Sequence, residues 1–184
     1  MTQLTRRAFA LGAAATTLGA CANGVGTNNA AKIDARVDST LQFMYERYPS
    51  TIDLSSKAVG MLVMPLVTEV GFVFGASYGQ GALRVAQTTV DYYSAASASA
   101  GLQIGGQQYS HVLFFMTNEA LANFRSAPGW AAGADIEYAL NDKGEVLRAE
   151  TTTSLAPIVA AVFAQAGFRV GATLEGTKYT RIIP

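Results

Sequence analysis

The first regular pattern in the chain is an apolar stripe with helical spacing. Its members lie 4, 4, 3 and 4 positions apart: Ile33, Val37, Leu41, Met44 and Tyr48. This spacing predicts an amphipathic α-helix over residues 30–48, which Pro49 ends. The polar face mixes acidic and basic residues, whereas a helix in a membrane interface is usually more basic. The pattern therefore favours packing of this helix on the domain, with membrane contact as the alternative.

Residues 50–56 predict one short helical turn, and beyond Lys57 the pattern changes to that of β-strands. Short apolar runs recur at intervals of roughly 8–12 residues, with turn residues between them. We predict about ten short strands, as in antiparallel barrel-like or two-sheet bodies. The expected strands cover residues 58–66, 69–76, 82–86, 90–97, 101–105, 112–116, 133–140, 146–152, 158–163, 168–174 and 178–183. A short helix over residues 119–125, capped by Thr117 or Asn118, interrupts them.

The stretch at residues 97–116 predicts the centre of the sheet. Leu102 and Ile104 alternate with polar or glycine positions, as in a strand with one buried face. Residues 106–110 predict a turn, and the apolar run 112–116 has no alternation, so we expect both of its faces to be covered. The sequence thus predicts an α+β fold, predominantly antiparallel β, built around this hairpin. One N-terminal amphipathic helix and one short helix accompany the sheet.

Composition supports a single folded domain and excludes a nucleic-acid partner. Of the 184 residues, 50% are hydrophobic and 14% are charged, which is the range of globular chains. Lys and Arg together number 13, as do Asp and Glu, so the chain lacks the basic field that binds a phosphate backbone. We expect one domain over residues 30–184.

The N-terminus carries two export signals. Arg6 and Arg7 form a pair typical of twin-arginine signals, and the apolar segment 8–20 that follows is too short to span a bilayer. Residues 18–21 (LGAC) then resemble a bacterial lipobox, in which the signal peptide is cut before the cysteine and the cysteine is acylated. We therefore predict a signal peptide over residues 1–20 and a lipidated tether over residues 21–29. Cys21, the sole cysteine, is the predicted lipid anchor.

Lipidation at Cys21 would fix the location of the mature chain. Two or three acyl chains, at about 0.8 kcal/mol per buried methylene, hold a protein on a membrane almost permanently. An Asp after the cysteine is the usual signal for retention in the inner membrane. The chain has Ala22 at this position, so we expect a periplasmic protein on the outer membrane in preference to the inner membrane.

A G-x-S-x-G match at residues 75–79 raises the question of a serine hydrolase. In those enzymes the serine follows a strand and precedes a helix, with an acid and a histidine later in the chain. Here the residues after Ser77 predict a turn and another strand, and the partners would have to be Asp91 and His111, the sole histidine. A hydrolase that uses Ser77 is therefore a remote alternative, and we expect no catalytic residue.

The remaining patterns predict no cofactor and no metal. A single histidine without cysteines or clustered carboxylates does not make a metal site, and we expect His111 to bond a backbone group. The glycines of residues 101–106 join strand to strand, so they lack the helix N-terminus that binds a dinucleotide pyrophosphate. These glycines are better explained by sheet curvature or close packing.

Carboxylates and aromatic side chains likewise have structural explanations. Asp135 and Glu137 share one face of a predicted strand, and Glu150 and Glu175 could join them, but a solvated strand face explains them better. One group of aromatic residues could line an apolar cavity, and core packing explains most of it: Phe72, Phe74, Tyr92, Tyr93, Phe114 and Phe115.

Several short blocks, taken in order, resemble the SYLF domain family, lipid-binding proteins whose yeast members also associate with actin. The blocks are KAVGMLVMP (57–65), GQG (79–81), YYS (92–94), GLQIG (101–105), LFFM (113–116), GAD (133–135) and LEG (174–176). The resemblance implies membrane-lipid binding, with phosphoinositides as ligands of eukaryotic members, and no known enzymatic activity. An exported bacterial protein does not meet cytosolic actin, so actin is not expected as a partner.

Together these observations predict an exported, lipid-anchored envelope protein whose SYLF-like domain binds membrane lipid or another amphiphile without catalysis. The basic candidates for contact with lipid headgroups are Lys32, Arg36 and Lys57. The alternative is a structural or protein-interaction module of the envelope with a protein partner there.

Overall fold

The computed structural model describes residues 29–71, 74–100, 105–133, 136–138, 156–164 and 174–184. Three helices lie in these ranges: α1 (Asn29–Arg47), α2 (Ser50–Lys57) and α3 (Asn118–Ser126). The side chain of Thr117 caps α3 by accepting a hydrogen bond from the backbone N–H of Ala120 at 3.1 Å. The two predicted helices and the predicted short turn are confirmed, each within a few residues of its expected bounds.

The described strands form one curled, half-barrel sheet of eight strands. They are β1 (Gly60–Gly71), β2 (Phe74–Val85), β3 (Thr88–Ala100), β4 (Gly105–Phe115), β5 (Trp130–Ala131), β6 (Ile136–Tyr138), β7 (Ile158–Phe163) and β8 (Lys178–Ile182). Their order in the sheet is β5-β8-β3-β2-β1-β4-β7-β6. All neighbours are antiparallel except β6 and β7, which run parallel. The predicted class, α+β with a mostly antiparallel sheet, is confirmed.

The four central strands are longer than predicted. β1 to β4 contain 11 to 13 residues each, whereas the strands predicted in this part of the chain contain 5 to 9. Pro65 lies inside β1, where the register shifts between Val63 and Leu66, so the strand accommodates the proline at a bulge. Gly79 and Gly81, predicted as a turn, lie inside β2. Over residues 60–71, 74–100 and 105–115, four long strands therefore take the place of the shorter strands that the sequence predicts there.

The predicted hairpin at residues 97–116 is wrong. β3 and β4 are separated in the sheet by β2 and β1, and β4 begins at Gly105, so residues 106–110 belong to a strand. β4 pairs with β1 on one side and with β7 on the other. Its residues from Val112 to Phe115 are fully buried, which confirms the prediction of a mid-sheet strand covered on both faces. Apolar pattern indicates burial, but it does not specify which strand lies alongside.

A packed core lies on each face of the sheet. On the first, here called the helix face, α1 and α2 cover the sheet. Its core members are Ile33, Val37, Met44, Leu54, Met61, Val63, Ala82, Val112, Phe114, Val159, Ala161 and Phe163. On the second, here called the inner face, α3 and the segments around β5 and β8 cover the sheet. Its aromatic members are Tyr93, Tyr109, Phe115, Phe124 and Tyr179. Three stripe residues of α1 are buried in the first core, so packing of this helix on the domain is confirmed.

Polar contacts also attach α1 to the sheet. The carboxylate of Asp34 accepts hydrogen bonds from Thr89 Oγ1 at 2.7 Å and from the Tyr92 hydroxyl at 2.8 Å. Asp38 pairs with a guanidinium nitrogen of Arg84 at 2.6 Å. Burial, together with the hydrogen bond to Asp34, raises the pKa of Tyr92 above its ordinary value of 10.0. These contacts place the N-terminal half of α1 over the end of the sheet where β2 turns into β3.

Several predictions fall outside the described residues. These are Arg6, Arg7 and Cys21 with the whole segment 1–28, the strand at 146–152, and most of the strands at 101–105 and 168–174. Asp135, Glu150 and Phe72 also lie outside them. The predicted strands at 158–163 and 178–183 are confirmed by β7 and β8.

Candidate functional site

Ser77 does not occupy a nucleophile elbow. It lies in the middle of β2, which continues to Val85, and its hydroxyl is 2.6 Å from the hydroxyl of Ser97 on β3. In the register of the sheet, Ser77 is opposite Glu69, and Glu69 is opposite Gln107 on β4. His111 lies four residues further along β4, a displacement of about 13 Å along the strand. The geometry therefore separates the serine from the only histidine.

His111 is buried among aromatic rings on the inner face. Its Nε2 lies 2.8 Å from the hydroxyl of Tyr179, and its ring stacks on Tyr109 with 5.8 Å between centroids. Trp130 packs against Tyr179, with ring centroids 5.7 Å apart. Burial raises the pKa of Tyr179 well above its ordinary value of 10.0, and the neighbouring Tyr109 adds to this rise. The side-chain partner of His111 is thus a tyrosine near the C-terminus, which its own strand did not indicate.

The carboxylates that the sequence singled out do not form a cluster in the described part of the chain. Glu137 is partly buried on β6, and Glu175 is exposed in a turn. Within the described ranges, no group of three or more His, Cys, Asp or Glu side chains is placed to hold a metal ion.

The predicted headgroup contacts lie on the helices of the helix face. Lys32 and Arg36 are exposed on α1, one helical turn apart. Lys57, at the end of α2, forms an exposed ion pair with Asp53 at 2.6 Å. An exposed pair of this kind leaves the ammonium group accessible, because surface ion pairs are weak. The three side chains therefore remain available to an anionic partner.

A large apolar surface lies on the helix face, beyond the part that α1 covers. Four side chains define it, here called the strand-end surface, with exposed fractions of 39%, 57%, 78% and 54%: Leu66, Val70, Phe74 and Tyr78. Residues directly opposite one another in the sheet share a face, and the register pairs Leu66 with Gln80, Thr68 with Tyr78, and Val70 with Ala76. The even-numbered positions of β2 lead from buried Ala82 in the helix-face core out to exposed Phe74.

Small residues of β3 extend the strand-end surface sideways. Ala96 lies opposite Tyr78, and Ala98 lies opposite Ala76, and both are exposed. Thr68 of β1 and Gln108 of β4 contribute uncharged polar groups. The strand-end surface and its neutral neighbours therefore span four adjacent strands, β3, β2, β1 and β4.

The end of the sheet that carries this surface is almost free of charge. The sequence has no Asp, Glu, Lys or Arg in residues 70–83 or in residues 92–118. Glu69, which adjoins the first stretch, occupies the inner face, where Gln107 Nε2 donates a hydrogen bond to its carboxylate at 2.8 Å. Lys178 of β8, which pairs with Ala96, flanks the surface.

Core packing explains most of the aromatic set, as predicted, but it does not explain Phe74. Tyr93, Phe114 and Phe115 of the same aromatic set are buried as expected, but Phe74 is 78% exposed. The sequence feature that could have indicated this surface is the uncharged stretch at residues 70–83. The solvent face of an ordinary exposed strand carries charged or polar side chains, which this stretch lacks. Among the described residues, no helix is long and apolar enough to cross a bilayer.

Comparison with known families gives one match. Residues 96–181, from β3 to β8 and just under half of the chain, match the family model of the Ysc84 (SYLF) domain, described as "Las17-binding protein actin regulator". No curated protein matches the chain. The match supports a SYLF-domain protein, and this domain is a binding domain that is not known to be enzymatic. The strand-end surface lies N-terminal to the matched range, except for its neighbours on β3 and β4.

Proposed function

We propose that the chain is an exported, lipid-anchored protein of the cell envelope whose SYLF-like domain binds membrane lipid or another amphiphile without catalysis. The observation that carries the proposal is the strand-end surface. The largest apolar patch on a monomeric protein commonly measures about 300–600 Å², and such a patch is often the binding surface. A neutral, apolar surface on a domain related to a binding family suits lipid better than it suits a charged ligand.

The anchor in this proposal is Cys21. Arg6 and Arg7 direct export, cleavage removes residues 1–20, and acylated Cys21 holds the domain through the tether 21–29. Lys32, Arg36 and Lys57 are the candidates for headgroup contact, because all three are exposed on the helix face. Export separates the protein from cytosolic actin, so the proposal does not include actin.

Lipid binding is tested with the full chain carrying Cys21→Ser, in which no acyl chain contributes. We expect this protein to cosediment with phospholipid vesicles, or to carry a copurified lipid that native mass spectrometry detects. A protein that ignores vesicles and carries no lipid would rule out lipid binding by the domain.

The anchor is tested in cells by fractionation. We expect Cys21→Ser to move the protein from the membrane fraction to the soluble periplasmic fraction, because the acyl chains are lost. Ala22→Ser is the matched control and should leave the distribution unchanged, whereas Ala22→Asp should move the protein toward the inner membrane. Tight membrane association of Cys21→Ser, equal to that of the parent, would contradict the assignment of Cys21.

A second candidate function is a protein-interaction module of the envelope. The description of the matched family as a Las17-binding protein favours it, because that activity is binding to a protein. Crosslinking in cells that recovers one envelope protein, together with an absence of lipid from the purified chain, would favour this candidate over the first.

A further inference from the structure

We propose that the strand-end surface enters the apolar part of the bilayer, so that membrane binding by the domain depends on apolar contact and not on headgroup charge. This inference rests on the proposed function and names the part of the molecule that meets the membrane. It shifts the binding site from the cations of α1 and α2 to four side chains of β1 and β2: Leu66, Val70, Phe74 and Tyr78.

From Tyr78 onward, the side chains of the surface become more apolar toward the end of the sheet. Tyr78 has an apolar ring, and its hydroxyl accepts a hydrogen bond from Gln80 Nε2 at 3.1 Å, as suits a side chain at a membrane interface. Further along the strands lie Val70 and Phe74, the latter 78% exposed. Glu69 lies on the opposite face, so insertion of this surface does not require a carboxylate to leave water.

The backbone of this region is already paired on both sides. β1 pairs with β2 and β4 as far as Gly71, and β2 pairs with β3 from Phe74 onward and with β1 from Gly75 onward. An unpaired N–H or C=O group costs several kcal/mol in hydrocarbon, which excludes open sheet edges from a bilayer. The strand-end surface is a sheet face and not an edge. Its side chains can therefore leave water while the paired N–H and C=O groups of β1 and β2 keep their hydrogen bonds.

A second copy of the chain is a poorer occupant of this surface. From the exposed fractions of the four side chains, their accessible area is on the order of 400 Å². A stable protein–protein interface buries about 800 Å² on each partner, roughly twice this area. A bilayer needs no matching partner surface, because its hydrocarbon adapts to the shape of the side chains that enter it.

The predicted anchor brings the bilayer within reach. Cys21 precedes the first residue of α1 by eight positions, so the intervening chain spans about 28 Å at most. The contact of Asp38 with Arg84 lies ten positions along β2 from Phe74, about 33 Å. With Cys21 in the membrane and the strands perpendicular to the bilayer, the separation of about 33 Å would exceed the reach of about 28 Å. We therefore expect the sheet to lie inclined, with its helix face toward the membrane.

The test compares variants of the full chain in the Cys21→Ser background. The surface variant, Val70→Thr with Phe74→Thr, removes apolar contact and keeps strand-forming side chains. Its matched control, Val90→Thr with Ile183→Thr, changes two other exposed apolar residues, 40% and 83% accessible. Binding is measured with vesicles of phosphatidylcholine alone and of phosphatidylcholine with phosphatidylglycerol, at low and at high salt.

A charge variant completes the set: Lys32→Gln, Arg36→Gln and Lys57→Gln. We expect the surface variant to lower the vesicle partition coefficient by about tenfold or more with both lipid mixtures and both salt concentrations, because two apolar side chains no longer leave water. The matched control should stay within about twofold of the parent under all conditions, because it leaves the inserted surface unchanged. The charge variant should match the parent on phosphatidylcholine and lose at most a few-fold on the anionic mixture at low salt, where the exposed cations can contact headgroups. Unchanged thermal midpoints check that all variants fold, as exposed positions allow.

Direct evidence of insertion comes from Phe74→Trp. Its tryptophan emission, taken as the difference from the parent, should shift to the blue when vesicles are added, whereas that of Ile183→Trp should not. Equal binding by the surface variant and the parent would overturn the inference and leave lipid binding standing. Loss of binding to phosphatidylcholine in the charge variant, or loss of the parent's binding to phosphatidylcholine in high salt, would also overturn it. A parent protein that binds no vesicle at all would instead contradict the proposed function.

Discussion

At the scale of single residues, the inner face depends on a buried pair of polar side chains. His111 is fully buried, and Tyr179, also buried, supplies a hydroxyl 2.8 Å from its Nε2. A buried polar atom that loses its partner costs about 1–3 kcal/mol, because water does not replace the lost hydrogen bond. The pair joins β4 at the centre of the sheet to β8 near its edge, so it connects the last described strand to the core of the inner face.

We predict that Tyr179→Phe lowers the free energy of unfolding by about 1–2 kcal/mol at pH 7, because the ring is kept and only the hydroxyl is lost. Urea denaturation measures the change. Tyr78→Phe is the matched control: Tyr78 is 54% exposed and its hydroxyl accepts a hydrogen bond from Gln80, so water can replace this bond and its loss should change stability by less than about 0.5 kcal/mol. Equal effects of the two substitutions would show that the contact with His111 does not stabilise the fold.

The same variant has a pH signature. Because burial raises the pKa of folded Tyr179 above its ordinary value of 10.0, the unfolded chain loses this proton first as the pH rises. The contribution of the proton to stability is therefore complete below pH 10 and decreases above it. In Tyr179→Phe this part of the alkaline decrease is absent. The stability difference between parent and variant should shrink above pH 10, as unfolding curves at stepped pH values will show.

Sequence patterns predicted little of this pairing. The sequence indicated that His111 lies at the start of a buried run, but its partner, Tyr179, lies 68 positions away in the chain. Such contacts depend on strand order, which local periodicity does not encode. In contrast, the cap at Thr117 was predicted, because its partner is only three residues away.

At the scale of elements, helices were predicted more accurately than strands. The stripe from Ile33 to Met44 has the helical period, and the buried positions of α1 follow it. Strand bounds were wrong wherever a proline or glycine suggested a break, as at Pro65 and Gly81. In this sheet, neither residue ends a strand. The bulge in β1 accommodates Pro65, and Gly81 lets β1 and β2 approach closely. The strand-end surface was missed for a related reason, since the same apolar pattern describes a covered face and an exposed one.

Gly81 shows this closeness most clearly, and a methyl group there tests it. A Cβ at Gly81 would collide with the carbonyl oxygen of Val63 on β1. We predict that Gly81→Ala lowers the free energy of unfolding by about 3 kcal/mol, because β1 and β2 must separate at the bulge. The control is Gly106→Ala on β4, where a Cβ would meet its nearest atom at an ordinary 3.7 Å. Chemical denaturation should show a change of less than about 1 kcal/mol for this control.

At the scale of the whole molecule, the proposals give the chain two independent contacts with one membrane. Acyl chains on Cys21 restrict the domain to the vicinity of the bilayer, which raises the effective concentration of the strand-end surface there. The surface contact can then be weak and still be occupied most of the time. Neither contact requires the net charge of the chain, which is zero over the full sequence.

This arrangement predicts how the two contacts combine in cells. Cys21→Ser alone should leave a small membrane-associated fraction that depends on Val70 and Phe74, and Val70→Thr with Phe74→Thr alone should leave the protein fully in the membrane fraction. Only the combined variant should be entirely soluble, because both contacts are then lost. Quantitative blotting of membrane and soluble fractions measures this. A combined variant that matches Cys21→Ser would show that the surface makes no contact with the membrane in cells.

The pairing of β8 with β3 determines how long one edge of β3 stays unpaired during translation. β3 ends at residue 100, and the strand that covers its outer edge begins at residue 178. At roughly 5–20 residues per second, a ribosome needs about 4–16 s to add the intervening chain. During that interval the edge of β3 stays open within an uncharged stretch, and open edges of this kind template aggregation. The yield of soluble protein should therefore depend on how fast the last third of the chain is translated.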